Sequence, residues 1–166
     1  MSIFPTKILL ATDGSEEAEL AARTAADLAK STNSDLHLIY VGHMPSIFYE
    51  SPGTMALDLD LQSRMEEEAE DAAKTNLEKQ AQRIRQAGIE VAGNHTRVGF
   101  PAAEIVRLAG RLGAGLIVMG SRGLGPLRRA LMGSVSDSVV RHAHCPVLVV
   151  RPEKEGSVEH EADFLT

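Results

Sequence analysis

Residues 8–15 read Ile8-Leu9-Leu10-Ala11-Thr12-Asp13-Gly14-Ser15. A short, continuous apolar run of this kind predicts a strand buried on both faces. The run ends in Asp-Gly-Ser. Ser15 can cap a helix, and Glu16 and Glu17 suit the positive charge of a helix's first turn. Ala18, Ala21, Ala22, Ala25 and Leu28 then recur at helical spacing. Alanines of that size let the helix lie close to a sheet. A doubly buried strand that feeds such a helix is the opening of a βαβ unit.

The rest of the chain repeats the alternation. Asp35 to Val41 predicts a second strand. His43 to Asp60 carries Pro45, Pro52 and Gly53 and reads as irregular. It also holds Ile47, Phe48, Tyr49, Met55 and Leu57, the mark of a packed or functional segment. Leu61 to Ala87 predicts a long helix with apolar positions Leu61, Met65, Ala69, Ala73, Leu77, Ala81 and Ile84. Gly88 stops it as a left-handed cap. The acidic run Glu66 to Asp71 is its solvated face. Glu90 to Arg97 predicts a third strand, and Pro101 opens a helix where its missing N–H does no harm. Leu116 to Met119 is a fourth buried strand, Ser134 to His142 a short helix, and Pro146 to Val150 a fifth strand. Strands alternating with helices imply an α/β fold: an open five-stranded parallel sheet with helices on both faces. If the strand order is 3-2-1-4-5, ligands bind between the ends of strands one and four, where the order reverses.

The length, 166 residues, suits one domain, expected over 1–152. From Glu153 the tail, 153–166, has five acids and one lysine, and it is expected to be disordered. Hydrophobic residues make up 43% of the chain but aromatics only 4%, so the core must be aliphatic. A net charge of −6 argues against a general affinity for nucleic acid or anionic membrane, which reward basic surfaces. Cys145 is the single cysteine, so no intrachain disulfide forms and a reducing compartment is expected. No stretch reads as a signal peptide or membrane span. The expected location is the cytoplasm.

The chemistry concentrates in Gly120-Ser121-Arg122-Gly123-Leu124-Gly125-Pro126-Leu127-Arg128-Arg129-Ala130-Leu131-Met132-Gly133-Ser134. Glycines admit close approach of backbone N–H groups to a phosphate. Gly133-Ser134 would open the last helix, whose amides and dipole suit an anion. Arg122, Arg128 and Arg129 make this stretch +3, with no acid in it. A local basic loop on an acidic chain suggests a small anionic ligand rather than a polymer.

The spacing Gly-x2-Gly-x9-Gly-Ser after a Met-Gly strand end resembles the ATP-binding signature of the universal stress proteins. Ala-Thr-Asp-Gly-Ser at 11–15 and His-Cys-Pro-Val-Leu-Val-Val at 144–150 also look like that family. The resemblance covers about residues 5–152. It implies a Rossmann-like sheet, dimers, and ATP, with AMP or ADP as alternatives, carrying Mg2+ or Mn2+ on its phosphates. It places Ala11, Thr12 and Asp13 against the adenosine, with Asp13 near the ribose or a metal-bound phosphate. Val41 would meet the adenine through its backbone. Met119, Gly120, Arg122, Gly123, Gly133, Ser134, Val135 and Ser136 would surround the ribose and phosphates. Position 11 is Ala where some ATP-binding members have Pro.

Simpler roles stand beside these. Asp13 can cap the first helix. Ser134 with Asp137 fits a capping box that needs no ligand. Arg128 and Arg129 can be a solvated face, and His142, His144 and Cys145 lack the further partners of a four-ligand metal site. Neither a P-loop nor a Gly-x-Ser-x-Gly elbow is present, and no acid, base and nucleophile stand out for catalysis. The functions left are a nucleotide-binding regulatory or stress-response protein, a dimeric interaction module without nucleotide, and a slow ATP hydrolase or phosphotransferase. The last strand, Val147-Leu148-Val149-Val150, would lie at a sheet edge without a charge to blunt pairing, so a homodimer is expected through it.

Overall fold

The computed structural model describes residues 2–42, 59–122 and 133–152. In chain order the elements are β1 (Lys7–Ala11), α1 (Glu16–Thr32), β2 (Asp35–Gly42), α2 (Leu59–Gln86), β3 (Gly93–Val98), α3 (Pro101–Leu112), β4 (Leu116–Gly120), α4 (Ser134–His142) and β5 (Val147–Val150). All strands pair in parallel, in the order β3-β2-β1-β4-β5. The α/β class and the strand order read from the sequence are those observed.

Strand β1 is central and its Ile8, Leu9 and Leu10 are 0% exposed. Alternation sends Ile8 and Leu10 to one face and Leu9 and Ala11 to the other. On the first face they join Leu36, Leu38, Leu116 and Val118 beneath α1 and α2. The α1 contribution is alanine: Ala21, Ala22, Ala25, Ala26 and Ala29. On the second face Ile39, Ile117 and Met119 meet Ile105, Leu108 and Ala109 of α3 and Val139 of α4. Each large side chain so buried contributes about 1.5–3 kcal/mol.

Helix ends follow local chemistry. The Ser15 hydroxyl accepts the Ala18 N–H at 3.1 Å and caps α1. Gly88 takes φ +81° after α2, and the Ile89 N–H returns to the Ile84 carbonyl at 3.3 Å. Pro101 occupies the first turn of α3.

Several details differ from expectation. The long helix begins at Leu59, inside the stretch read as irregular; residues 43–58 of that stretch lie outside the described residues. Its apolar stripe is buried only from Ala73 onward, and Leu61 is 45% exposed. Helix α2 crosses the end of β2 at Ala69, whose carbonyl oxygen lies 2.9 Å from where a Cβ on Gly42 would stand. The residues before Ala69 therefore run past the sheet. Strand β3 starts at Gly93 rather than Glu90, because pairing with β2 begins at His37. Above Gly93, His37 Nδ1 lies 3.2 Å from His95 Nε2, and the rings stack with centroids 5.4 Å apart. A Cβ at residue 93 would approach His37 Nδ1 to 2.7 Å. The tail from Glu153 lies outside the described residues.

Candidate functional site

Strands β1 and β4 are neighbours that lead to helices on opposite faces of the sheet, so a crevice opens beyond their carboxyl ends. Ala11 pairs with Met119 in the last shared register. The Thr12 N–H continues toward β2 and donates to the Ile39 carbonyl at 3.0 Å. The Ser121 N–H continues toward β5 and donates to the Val150 carbonyl at 2.9 Å. Both strand ends are thus held from outside by their outer neighbours.

Past β1, the Asp13 carboxylate accepts the Ser15 N–H at 3.0 Å, while the helix cap is Ser15 itself. Asp13 therefore shapes the turn and does not replace the cap. The Tyr40 hydroxyl reaches the Asp13 carbonyl at 3.4 Å. Burial and the Asp13 charge push the Tyr40 phenol above its ordinary range, against an opposing hydrogen bond from Asn76. Val41, half-buried, lies two residues beyond Ile39, the β2 partner of Ala11.

Past β4, the loop read from the sequence has a closed stem. The Gly133 N–H donates to the Ser121 carbonyl at 2.6 Å, and the Ser136 hydroxyl lies 2.8 Å from the same oxygen and 3.0 Å from the Gly133 carbonyl. A Cβ on Gly133 would come within 3.2 Å of that Ser121 oxygen. A Cβ on Gly120 would meet the Glu17 backbone at 3.0 Å. These two glycines therefore allow chain to pack on chain. Gly123, Arg128 and Arg129 lie outside the described residues.

The capping box at Ser134 does not form. Gly133 is the N-cap of α4, no side chain among the described residues caps that end, and the Asp137 carboxylate pairs with Arg141 at 2.9 Å. The stem fixes Gly133 in the extended cap conformation, which moves the helix start one residue earlier than the serine pattern suggests. The amides of Ser134, Val135 and Ser136 are then the first-turn donors, which have no acceptor one turn back.

The structure brings Ala11, Thr12, Asp13, Met119, Gly120, Arg122, Gly133, Ser134, Val135 and Ser136 to one end of the sheet, with Val41 beside them. They do not present equal surfaces. Ala11, Thr12, Met119, Gly120 and Ser136 are buried; Arg122 and Ser134 are exposed; Asp13, Val41, Gly133 and Val135 lie between. Three contributors were not singled out: Ser121, which joins the loop ends; Tyr40, which steadies Asp13; and Glu17. The Glu17 carboxylate receives the Ser121 hydroxyl and the Arg122 N–H, each at 2.6 Å. Ser121 sat within the glycine-bearing stretch. Tyr40 and Glu17 carried no spacing signal, since their partners are remote in sequence. Among the described residues, no helix is long and apolar enough to cross a membrane.

Comparison with known proteins agrees with this architecture. The chain is 39% identical over 153 residues to universal stress protein MJ0531 of Methanocaldococcus jannaschii, covering 90% of this chain and 84% of that one. Among solved structures, hypothetical protein MJ0577 superposes with a TM-score of 0.76 at 28% identity, over 91% of this chain and 99% of that one. The universal stress protein from Archaeoglobus fulgidus in complex with dAMP superposes with a TM-score of 0.57 at 25% identity, over 90% of this chain and 99% of that one. The universal stress protein family as a whole matches residues 5–151, and with the sheet order and the switch-point crevice this establishes that the chain belongs to the universal stress protein family.

Proposed function

We propose that this chain is a cytoplasmic, dimeric regulator of the stress response that binds ATP, with AMP or ADP as alternatives, at the switch point between β1 and β4. The observation that carries the reading is the reversal of strand order between β1 and β4, with a helix start after β4. The helix start Gly133 to Ser136, whose N-cap is a glycine without a capping side chain, and the acidic turn at Asp13 follow the ends of β4 and β1, the two strands on either side of the switch point. The helix start suits an anion through its amides, its dipole and the exposed Ser134 hydroxyl. Asp13 suits a ribose hydroxyl or a phosphate-bound Mg2+ or Mn2+, and Val41 with Ala11 supplies the apolar neighbourhood an adenine needs. The dAMP complex of the A. fulgidus relative supports an adenine nucleotide as the ligand class. The divalent ion would neutralise phosphate charge. No residue here is assigned a chemical step.

Thr12 and Ser136 act in this reading by shape rather than by hydroxyl contact. The Thr12 oxygen accepts the Gly14 N–H at 3.4 Å, and the Ser136 hydroxyl closes the loop stem. Domain 1–152 would hold the whole site. Edge strand β5, with Leu148 36% exposed, supports pairing of two copies through Val147, Leu148, Val149 and Val150.

Titration calorimetry with Mg-ATP tests the site. Ser134→Asp should leave the fold as stable as before, because a carboxylate suits a helix N-terminus. The same charge opposes phosphate, and affinity should fall about tenfold or more. Unchanged affinity in the folded variant moves the phosphates elsewhere, and a wild-type protein that binds no adenine nucleotide ends the reading.

A further inference from the structure

An acidic residue in the first turn of a helix ordinarily stays in solvent and interacts with the helix dipole. Glu17 does something else: its side chain is only 16% exposed. One carboxylate oxygen receives both the Ser121 hydroxyl and the Arg122 N–H at 2.6 Å, and the other lies 4.0 Å from Arg122 Nε. The Glu17 backbone rests on Gly120, so one residue of α1 grips the turn after β4 by main chain and side chain together. On its far side, the same turn offers the Ser121 carbonyl to the Gly133 N–H and the Ser136 hydroxyl. A continuous set of contacts thus runs from the start of α1, through Ser121, to the start of α4.

We propose that Glu17 is a positioning residue for the nucleotide: its hold on Ser121 and Arg122 sets the turn that seats Gly133 and the first-turn donors of α4. This rests on the reading that the nucleotide phosphates lie at that helix start. Glu17 need touch no ligand atom. Hydrogen bonds to a carboxylate are short and strong, so they fix the turn more firmly than neutral partners would. Preorganised donors bind an anion better than donors that must first be gathered.

The test uses the full chain with Glu17→Ala and Glu17→Gln. Glutamine keeps an acceptor oxygen and loses the charge; alanine removes both. Amide exchange at Arg122, measured without nucleotide, should quicken about tenfold or more in Glu17→Ala, where the N–H loses its acceptor. Mg-ATP affinity, measured where each variant is fully folded, should fall about tenfold in Glu17→Ala and return to within about threefold in Glu17→Gln. A merely structural role would lower the unfolding temperature and leave the affinity of the folded protein untouched; that result overturns the proposal. So does Arg122 exchange that is unchanged in Glu17→Ala. If the wild type itself binds no adenine nucleotide, the reading of the ligand fails, and the Arg122 exchange alone then decides whether Glu17 holds the turn.

Discussion

Adding one methyl group to each of two glycines should move stability in opposite directions. At Gly120 a Cβ would stand 3.0 Å from the Glu17 carbonyl carbon, 3.0 Å from its Cβ and 3.1 Å from its carbonyl oxygen. Two of those three atoms are backbone in the first turn of α1, so no side chain can rotate aside. Either α1 lifts from β4 or the strand end bends. Overpacking of that kind costs about 1–3 kcal/mol. For a chain of this size each kcal/mol moves the unfolding temperature by roughly 2–4 °C, so Gly120→Ala should lose roughly 2–12 °C. Gly110 is the control. It lies exposed within α3, and a Cβ there meets nothing within 4 Å. Gly110→Ala should gain about 0.5–1 kcal/mol from helix propensity alone. Thermal unfolding followed by circular dichroism reads both. If Gly120→Ala melts with the wild type, or the two variants shift together, the close approach of α1 to β4 is not a determinant of stability.

The stacked pair His37 and His95 predicts a pH dependence. Burial lowers both pKa values; Lys7 lowers His37 further, against Asp35, and Arg97 and the neighbouring ring lower His95. A base with a depressed pKa in the folded chain binds more protons when unfolded, so stability is full above the ordinary value of 6.5 and declines as pH falls below it. Urea midpoints between about pH 7.5 and 5 should show that decline, and His95→Gln should flatten it. At the sheet edge, Val149→Lys should turn a sedimenting dimer into a monomer, because the charge enters the strand pairing at its centre; a wild type that sediments as a monomer at micromolar concentration rejects the dimer.

The fold was legible because its signals are local. Ile8 to Ala11 is apolar on both faces, Ser15 is a capping residue one turn before Ala18, and Pro101 can start a helix but cannot continue one. Boundaries slipped where tertiary contacts decide them. The pattern of Leu61 and Met65 matches that of Leu77 and Ile84, yet β2 ends at Gly42, so the earlier pair lies beyond the part of the sheet that buries the later one. The candidate site was legible as a place and as a set of backbone segments, since glycine spacing and topology pointed to the same end of the sheet. Its internal wiring was not. Ser134-x-x-Asp137 is a capping pattern, but Gly133 takes the cap because its N–H is tied to Ser121, a residue on the other side of the loop. Glu17 reads in isolation as one of several acids in a first turn. Only folding puts it within 2.6 Å of an amide on another element.

The central position of β1 has a consequence for how the chain is made. Its two neighbours arrive at very different times. Strand β2, Asp35–Gly42, follows closely, whereas β4 begins only at Leu116. Synthesis at about 5–20 residues per second separates Ala11 from Leu116 by on the order of 5–20 s. Through that interval β1, β2 and β3 can pair, while the other edge of β1, Ile8 to Ala11, keeps its peptide groups unmatched beside an apolar face. An open edge of that composition invites association with other chains. A strand buried from Ile8 to Ala11 in the finished protein is thus one a nascent chain must guard, and its vulnerability belongs to translation, when aggregation competes with the arrival of β4.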